Sequence, residues 1–165
     1  METLQSATQS AVDLQFKVQD LNARYTEAID DDRLEEWPDF FTDKCLYRIT
    51  TAENEANGLP IGFIYATSKP MLRDRIKALR QANVYEAQRY RHVLSVPRIV
   101  SGQSGVIHVR TSFMVARIMH TGETMLFATG RYEDRIRIDG AQALFSEKSV
   151  IIDSRQVDTL LAIPL

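Results

Sequence analysis

A chain of 165 residues, of which 44% are hydrophobic and 25% charged, has the composition of a soluble globular domain with one substantial core. Its formal net charge is only −2, so the composition gives no reason to expect binding to nucleic acid or to an anionic membrane. We therefore predict one domain over residues 1–165, with residues 1–10 as a loose N-terminal tail.

Cysteine usage bears on the cellular compartment. Cys45 is the only cysteine, so no intrachain disulfide is expected and a reducing compartment is favoured. The N-terminal residues lack the basic segment and apolar run of a secretory signal, and no stretch approaches the roughly 18 apolar residues of a membrane span. The sequence thus predicts a cytoplasmic protein with no membrane partner.

The first half of the chain is predicted to be mainly helical. An amphipathic helix ends near residues 30–32, and a short second helix follows at residues 33–41. Residues 45–50 have the pattern of a strand and residues 51–60 that of a loop, after which Ser68 is the predicted N-cap of a third helix. The apolar stripe of the first helix consists of Leu14, Val18, Leu21, Tyr25 and Ala28, and Trp37, Phe40 and Phe41 of the second are predicted core residues.

Strands dominate the second half. Two faces alternate from Arg89 to Val96, one apolar face recurs over residues 107–115, and residues 125–138 are predicted to form a further strand. Asp139-Gly140 predicts a hairpin into a last strand at about residues 142–152, with a bulge near residues 147–149 where the apolar face changes phase. Helices followed by long strands predict an α+β fold, in which three N-terminal helices pack on a strongly bent antiparallel sheet that encloses a cone-shaped space.

The residue types do not favour metal chemistry in this chain. A Rieske cluster needs two cysteines besides two histidines, and a mononuclear iron site needs two histidines and a carboxylate that converge. The three histidines, His92, His108 and His120, fall on or at the ends of separate predicted strands. The sequence therefore predicts no metal ligands, no cofactor-binding residues and no catalytic residues.

Acid–base chemistry is the enzymatic alternative that the residues leave open. Asp30, Asp31, Asp32, Tyr47 and His92 could face a shared cavity, where burial shifts pKa values. A structural interpretation is favoured, in which the aspartates end one helix and cap the next and His92 makes a hydrogen bond within the fold.

Several short segments, in this order and spacing, carry a resemblance to a known family. They are WPDFFT at residues 37–42, CLYRI at 45–49, EN at 53–54, GLP at 58–60, MLRDR at 71–75, YRH at 90–92, TGRYED at 129–134 and IDS at 152–154. Together they resemble the small (β) subunits of aromatic-ring-hydroxylating dioxygenases, whose fold is cone-shaped and similar to that of ketosteroid isomerase. Residues 117–124 (RIMHTGET) and 158–165 (DTLLAIPL) are most similar to the small subunits of terephthalate dioxygenases, and salicylate hydroxylase small subunits are also similar.

The resemblance implies a structural role. It implies a hexamer of α and β subunits in which a trimer of β subunits forms the base and the α subunits carry the Rieske [2Fe–2S] cluster and the ferrous iron, with a reductase or ferredoxin as an indirect partner. An aromatic carboxylate is the expected substrate. The segments above supply the candidates for subunit-interface or structural roles, which are Asp74, Arg75, Arg91, His92, Tyr132 and Asp134.

Two other functions on the same cone fold stay open at this point. One is a free-standing isomerase or dehydratase that uses a cavity carboxylate and His92. The other is a small-molecule-binding protein with an empty cone.

Overall fold

The computed structural model describes residues 2–60, 62–82, 86–155, 161 and 163–165. The helices are α1 (Glu2–Asp30), α2 (Ala52–Ala56) and α3 (Lys69–Ala82), with a 3-10 turn at Trp37–Phe40. The strands are β1 (Phe41–Thr51), β2 (Ile64–Ser68), β3 (Gln88–Leu94), β4 (Arg98–Gln103), β5 (Val106–Met119), β6 (Thr124–Asp139) and β7 (Gln142–Ile152). Helices on one sheet confirm the predicted α+β class. Among the described helices, none is long and apolar enough to cross a membrane.

Helix α1 packs through the stripe that the sequence predicted. Val18, Leu21, Tyr25 and Ala28 are all buried. The helix begins at Glu2, however, so it includes most of residues 1–10, which were expected to be a loose tail. The apolar stripe marks only the packed part of a helix, and the preceding residues contain neither proline nor glycine to stop it.

The prediction of a second helix at residues 33–41 is wrong. Asp32 adopts a left-handed conformation (φ 58°) after α1, and turns then lead into the 3-10 turn. Leu34, Trp37 and Phe40 recur at intervals of three residues, which matches the three residues per turn of a 3-10 helix. Phe41 already belongs to β1, four residues before the predicted start of that strand.

The predicted loop at residues 51–60 contains the short helix α2. Its N-cap is Thr51, whose Oγ1 accepts a hydrogen bond from the backbone N–H of Asn54 (3.0 Å). Ser68 comes directly before α3, as predicted, and its Oγ accepts a bond from the backbone N–H of Met71 (3.5 Å). The three helices are therefore interleaved with β1 and β2, and they do not all precede the sheet.

The sheet has the strand order β2-β1-β7-β6-β5-β3, and β4 pairs with β5 beyond the end of β3. The predicted antiparallel sheet needs one correction, because β1 and β7 are parallel. The hairpin at Asp139-Gly140 is confirmed, with Gly140 at φ 56° and Asp139 paired with Gln142. Between β6 and β7 the register shifts so that Ser146 has no partner, one residue before the predicted bulge.

The helices pack on one face of the sheet and enclose a single cluster of buried apolar residues. Helix α1 contacts β3 and β7, and α3 contacts β1 and β2. Trp37, Phe40 and Phe41 are buried in this cluster. The Trp37 ring packs edge-on against Phe41 (5.6 Å between centroids) and Tyr47 (4.9 Å). The interior of the fold is thus lined with aromatic rings.

Candidate functional site

Two tyrosines hold the end of the sequence inside the fold. Tyr25 on α1 and Tyr47 on β1 donate hydrogen bonds to the backbone carbonyl oxygen of Leu165 (2.7 and 3.1 Å), and the Leu165 N–H donates to the Tyr47 hydroxyl (3.1 Å). Leu165 is fully buried. Burial raises the pKa of Tyr47 to about 12 and that of Tyr25 well above its ordinary value. Both hydroxyls therefore act as neutral donors at physiological pH.

A buried ion pair lies beside these tyrosines. Lys148 on β7 and Asp134 on β6 face each other in the register of the sheet, with Nζ 3.0 and 3.3 Å from the two carboxylate oxygens. Both side chains are 0% exposed. Lys148 Nζ also lies over the rings of Tyr132 (3.7 Å to the centroid), Phe145 (4.3 Å) and Tyr25 (4.5 Å). Aromatic faces and one carboxylate thus surround the ammonium group.

Burial governs the protonation of this pair. It raises the pKa of Asp134 to about 6, although Lys148 favours the charged carboxylate. Burial also lowers the pKa of Lys148, against the effect of Asp134. Burial therefore disfavours the charged form of both partners, and the Asp134 carboxylate takes up a proton in mild acid.

A second buried pair joins Asp30, the last residue of α1, to β3. Asp30 accepts hydrogen bonds from the backbone N–H of His92 (2.9 Å) through one oxygen and contacts His92 Nδ1 (2.6 Å) through the other. Because a carboxylate only accepts hydrogen bonds, the neutral ring carries its proton on Nδ1. Arg91 lies 3.8 Å from the same carboxylate. The pair ties the end of α1 to an edge strand of the sheet.

A carboxylate that orients a histidine also occurs in acid–base catalysis, which requires space for a substrate beside the free ring nitrogen. His92 Nε2 is buried and has no hydrogen-bond partner among the described residues. Four surface pockets are formed by other residues, and neither Asp30 nor His92 lines any of them. The structural interpretation of His92 fits this arrangement, whereas Asp31 and Asp32 are exposed and do not join it.

The outer face of the sheet carries a charged network around Glu133. In the strand register Glu133 on β6 lies between Arg110 on β5 and Ser149 on β7. Its carboxylate accepts bonds from Arg110 Nε (2.6 Å) and Arg131 Nε (3.2 Å) and lies 2.7 Å from His108 Nε2. Burial opposes ionisation of Glu133, but Arg110 and His108 outweigh it and hold the pKa below its usual range. The network leaves this sheet face charged and internally paired.

Three of the six candidate residues lie in the interior. Tyr132 and Asp134 are fully buried and His92 is buried, so their side chains contact the core. Tyr132 stacks on Phe113, with 4.5 Å between the ring centroids. Their burial fits structural roles for these three residues, which stay a prediction.

The other three candidates lie nearer the surface and are not brought together. Asp74 and Arg75 are on α3, and Arg91 is on β3. Asp74 and Arg91 are exposed, whereas Arg75 is half-buried and donates from Nη2 to the backbone carbonyl of Leu161 (2.8 Å). Subunit contacts by Asp74 and Arg91 stay a prediction.

Sequence reasoning missed Lys148 and Leu165. The sequence did contain a signal for Lys148. In a strand every second side chain points to the same face, so Lys148 shares the inward face of Val150 and Ile152. No periodic pattern points to Leu165, whose burial depends on contacts with residues more than 100 positions away.

Metal ligands do not cluster in the described part of the chain. No group of three or more His, Cys, Asp or Glu side chains there is arranged to hold a metal ion. Cys45 is buried and free. The described residues thus form an α+β fold with a filled apolar interior, two buried polar pairs and a charged network on the outer face of the sheet.

Comparison with known proteins identifies the family. Residues 24–159 match the family model described as "Ring hydroxylating beta subunit". The chain therefore belongs to the β-subunit family of ring-hydroxylating dioxygenases, and the resemblance found in the sequence is confirmed.

Individual relatives agree with this assignment. The chain is 46% identical over 151 residues to subunit β 1 of the terminal oxygenase component of terephthalate 1,2-dioxygenase from a Comamonas species, covering 92% of this chain and 98% of the relative. It is 39% identical to the small subunit of anthranilate 1,2-dioxygenase from Burkholderia cepacia, over 91% of this chain and 93% of that one.

Among solved structures, a Novosphingobium aromaticivorans chain assigned to the β subunits of aromatic-ring-hydroxylating dioxygenases superposes with a TM-score of 0.87 at 36% identity, covering 94% of this chain and 99% of that one. A scytalone dehydratase-like protein from the same organism has a TM-score of 0.67 at 14% identity, covering 89% of each chain, and shows that the cone fold is shared.

Proposed function

We propose that this chain is the non-catalytic β subunit of an oxygenase that acts on an aromatic carboxylate, and that it supports assembly of an α3β3 hexamer. In this proposal a trimer of β subunits forms the base, and catalytic α subunits hold the Rieske [2Fe–2S] cluster and the ferrous iron. The observation that carries the proposal is the 46% identity, over nearly the full length of both chains, to a terephthalate 1,2-dioxygenase β subunit.

The interior chemistry supports a structural role. The two interior carboxylates, Asp30 and Asp134, are engaged by His92 and Lys148 respectively. Leu165 occupies the position between Tyr25 and Tyr47, where a substrate of a cone-shaped enzyme would need space. A free-standing isomerase or dehydratase is therefore not the function that we propose.

The relatives' substrates support the carboxylate class. Terephthalate and anthranilate, the compounds in the names of the three relatives that are 39–46% identical to this chain, are both aromatic carboxylates. The relative named for 2-aminobenzenesulfonate is only 26% identical. We infer that the substrate of the assembled oxygenase bears a carboxylate on an aromatic ring, and that the assembly works in the cytoplasm.

A purification experiment tests the assembly. The tagged chain, isolated from its native host, is expected to bring down a larger iron–sulfur subunit in a complex with threefold symmetry. With a reductase or ferredoxin, NADH and dioxygen, this complex is expected to hydroxylate terephthalate or anthranilate, whereas the isolated chain is expected to be inactive. A stable monomer that recruits no iron–sulfur subunit would contradict the proposal.

His92 separates the structural role from acid–base catalysis. His92→Ala leaves Asp30 without its ring partner, so we expect a loss of about 1–3 kcal/mol in folding stability and a lower yield of complex. Turnover per assembled complex should stay within about twofold of the wild type, because a general acid or base would contribute roughly 10²- to 10⁴-fold. His120→Ala is the matched control, since the His120 side chain is 58% exposed. Normal assembly with a much slower reaction would overturn the structural assignment.

A further inference from the structure

The position of Leu165 has the features of a ligand site. Two phenol hydroxyls converge on one carbonyl oxygen, and one of them also accepts the adjacent N–H. The leucine side chain is fully buried in the apolar cluster formed by the sheet and helices. The site therefore recognises an oxygen acceptor next to a branched hydrocarbon group.

A third tyrosine adds an unused polar group. The Tyr132 hydroxyl is buried and has no hydrogen-bond partner among the described residues. Its ring lies 6.4 Å from the ring of Tyr25 and is fully buried. A buried hydroxyl without a partner is unfavourable by about 1–3 kcal/mol, so an occupant that brought a polar atom to the Tyr132 hydroxyl would remove this cost.

We propose that the interior of the fold is a binding site for small carboxylic acids with a branched or aromatic hydrocarbon group, and that the segment carrying Leu165 places this residue in it as an intramolecular competitor. The carboxylate of such a ligand would take the hydrogen bonds that Tyr25 and Tyr47 give to Leu165. Its hydrocarbon group would take the place of the leucine side chain.

The attachment of the segment explains why it occupies the site. Arg75 on α3 holds the Leu161 carbonyl (2.8 Å), so Leu165 is tethered four residues away from a fixed point on the fold. A tethered group binds at a high effective concentration, on the order of millimolar. A free acid must therefore compete with the segment, and weakening the segment should expose the site. This inference goes beyond the oxygenase role and does not depend on it.

The test uses the chain with Leu165→Lys, which places an ammonium group in the apolar cluster that buries the leucine side chain. Leu165→Met is the matched control, because it keeps an apolar side chain of similar volume. The probe is 4-methylpentanoate, which reproduces the isobutyl group and carboxyl carbon of leucine. Calorimetry is expected to give binding to the Leu165→Lys chain at least about tenfold tighter than to the wild type or to Leu165→Met.

Two further variants define the site. Adding Tyr25→Phe and Tyr47→Phe to the Leu165→Lys chain removes both donors and should abolish the binding. Equal affinity in the wild type and in Leu165→Lys, or binding that survives the loss of both hydroxyls, would overturn the proposal. If circular dichroism finds the Leu165→Lys chain unfolded, 4-methylpentanoate should restore its folding by mass action. An unfolded chain that the acid does not rescue, or a folded one that does not bind it, also overturns the proposal.

Discussion

The buried pair of Asp134 and Lys148 allows a quantitative test of the interior. Replacing Asp134 with leucine leaves the Lys148 ammonium fully buried, with three aromatic rings at 3.7–4.5 Å and no carboxylate. Breaking a buried ion pair on one side typically costs about 3–5 kcal/mol, because the remaining charge is neither hydrated nor neutralised. We therefore expect Asp134→Leu to lower the free energy of unfolding by about that amount.

Replacing both members of the pair should be less destabilising than replacing Asp134 alone. Leucine has the same branched arrangement of side-chain heavy atoms as aspartate, methionine is close in volume to lysine, and the two residues leave no buried charge. Replacing a whole buried pair by apolar residues is often neutral or stabilising. Asp134→Leu/Lys148→Met should therefore be more stable than either single variant, and the coupling free energy of the cycle should be a few kcal/mol.

Urea denaturation followed by far-UV circular dichroism measures these differences, at one fixed protein concentration because self-association adds to the apparent stability. Arg135→Met is the control, since it breaks an ion pair with Glu147 in which the arginine side chain is 61% exposed, and such pairs contribute at most about 1 kcal/mol. A loss below about 1 kcal/mol for Asp134→Leu, or strictly additive single effects, would refute the burial and pairing described above.

Three other predictions follow from the packing. Trp37→Ala should cost about 3–5 kcal/mol in urea unfolding, because the fully buried ring leaves a cavity, and a loss below about 1 kcal/mol would contradict its burial. Because burial raises the pKa of Asp134 from 3.8 to about 6, the folded chain holds a proton in that interval that the unfolded chain releases. The free energy of unfolding of the wild type relative to Asp134→Asn should therefore decrease as the pH rises from about 4 to 6. Denaturation measured across this pH range tests this, and a relative stability that increases with pH would refute the raised pKa. Gly130→Ala should lower thermal stability by about 1–3 kcal/mol, because a Cβ there overlaps the carbonyl oxygen of Ile151. Gly102→Ala should cost less, because the nearest atom to a Cβ there is a side-chain carbon of Ile107 at 3.0 Å, and equal effects of the two substitutions would count against the close approach at Gly130.

The sequence alone determined the features that depend on local signals. The stripe of α1, the serine before α3 and the Asp139-Gly140 hairpin each follow from residues within a few positions of one another. Family membership was also predicted from the sequence, because short segments such as residues 37–42 and 129–134 and their order along the chain can be compared without a structure.

Tertiary structure decided what depends on partners far apart in the chain. The parallel pairing of β1 with β7 joins segments about 100 residues apart, and no periodicity distinguishes a parallel from an antiparallel neighbour. Whether Leu34, Trp37 and Phe40 form an α-helix or a 3-10 turn depended on the approach of β1, which begins at Phe41. Lys148 became an interior residue only because Asp134 and three aromatic rings surround it, and Leu165 became one only because two tyrosines from distant elements bind its backbone. A charged side chain or a pair of backbone polar groups enters a core when it finds partners there, and those partners are fixed only when the whole chain has folded.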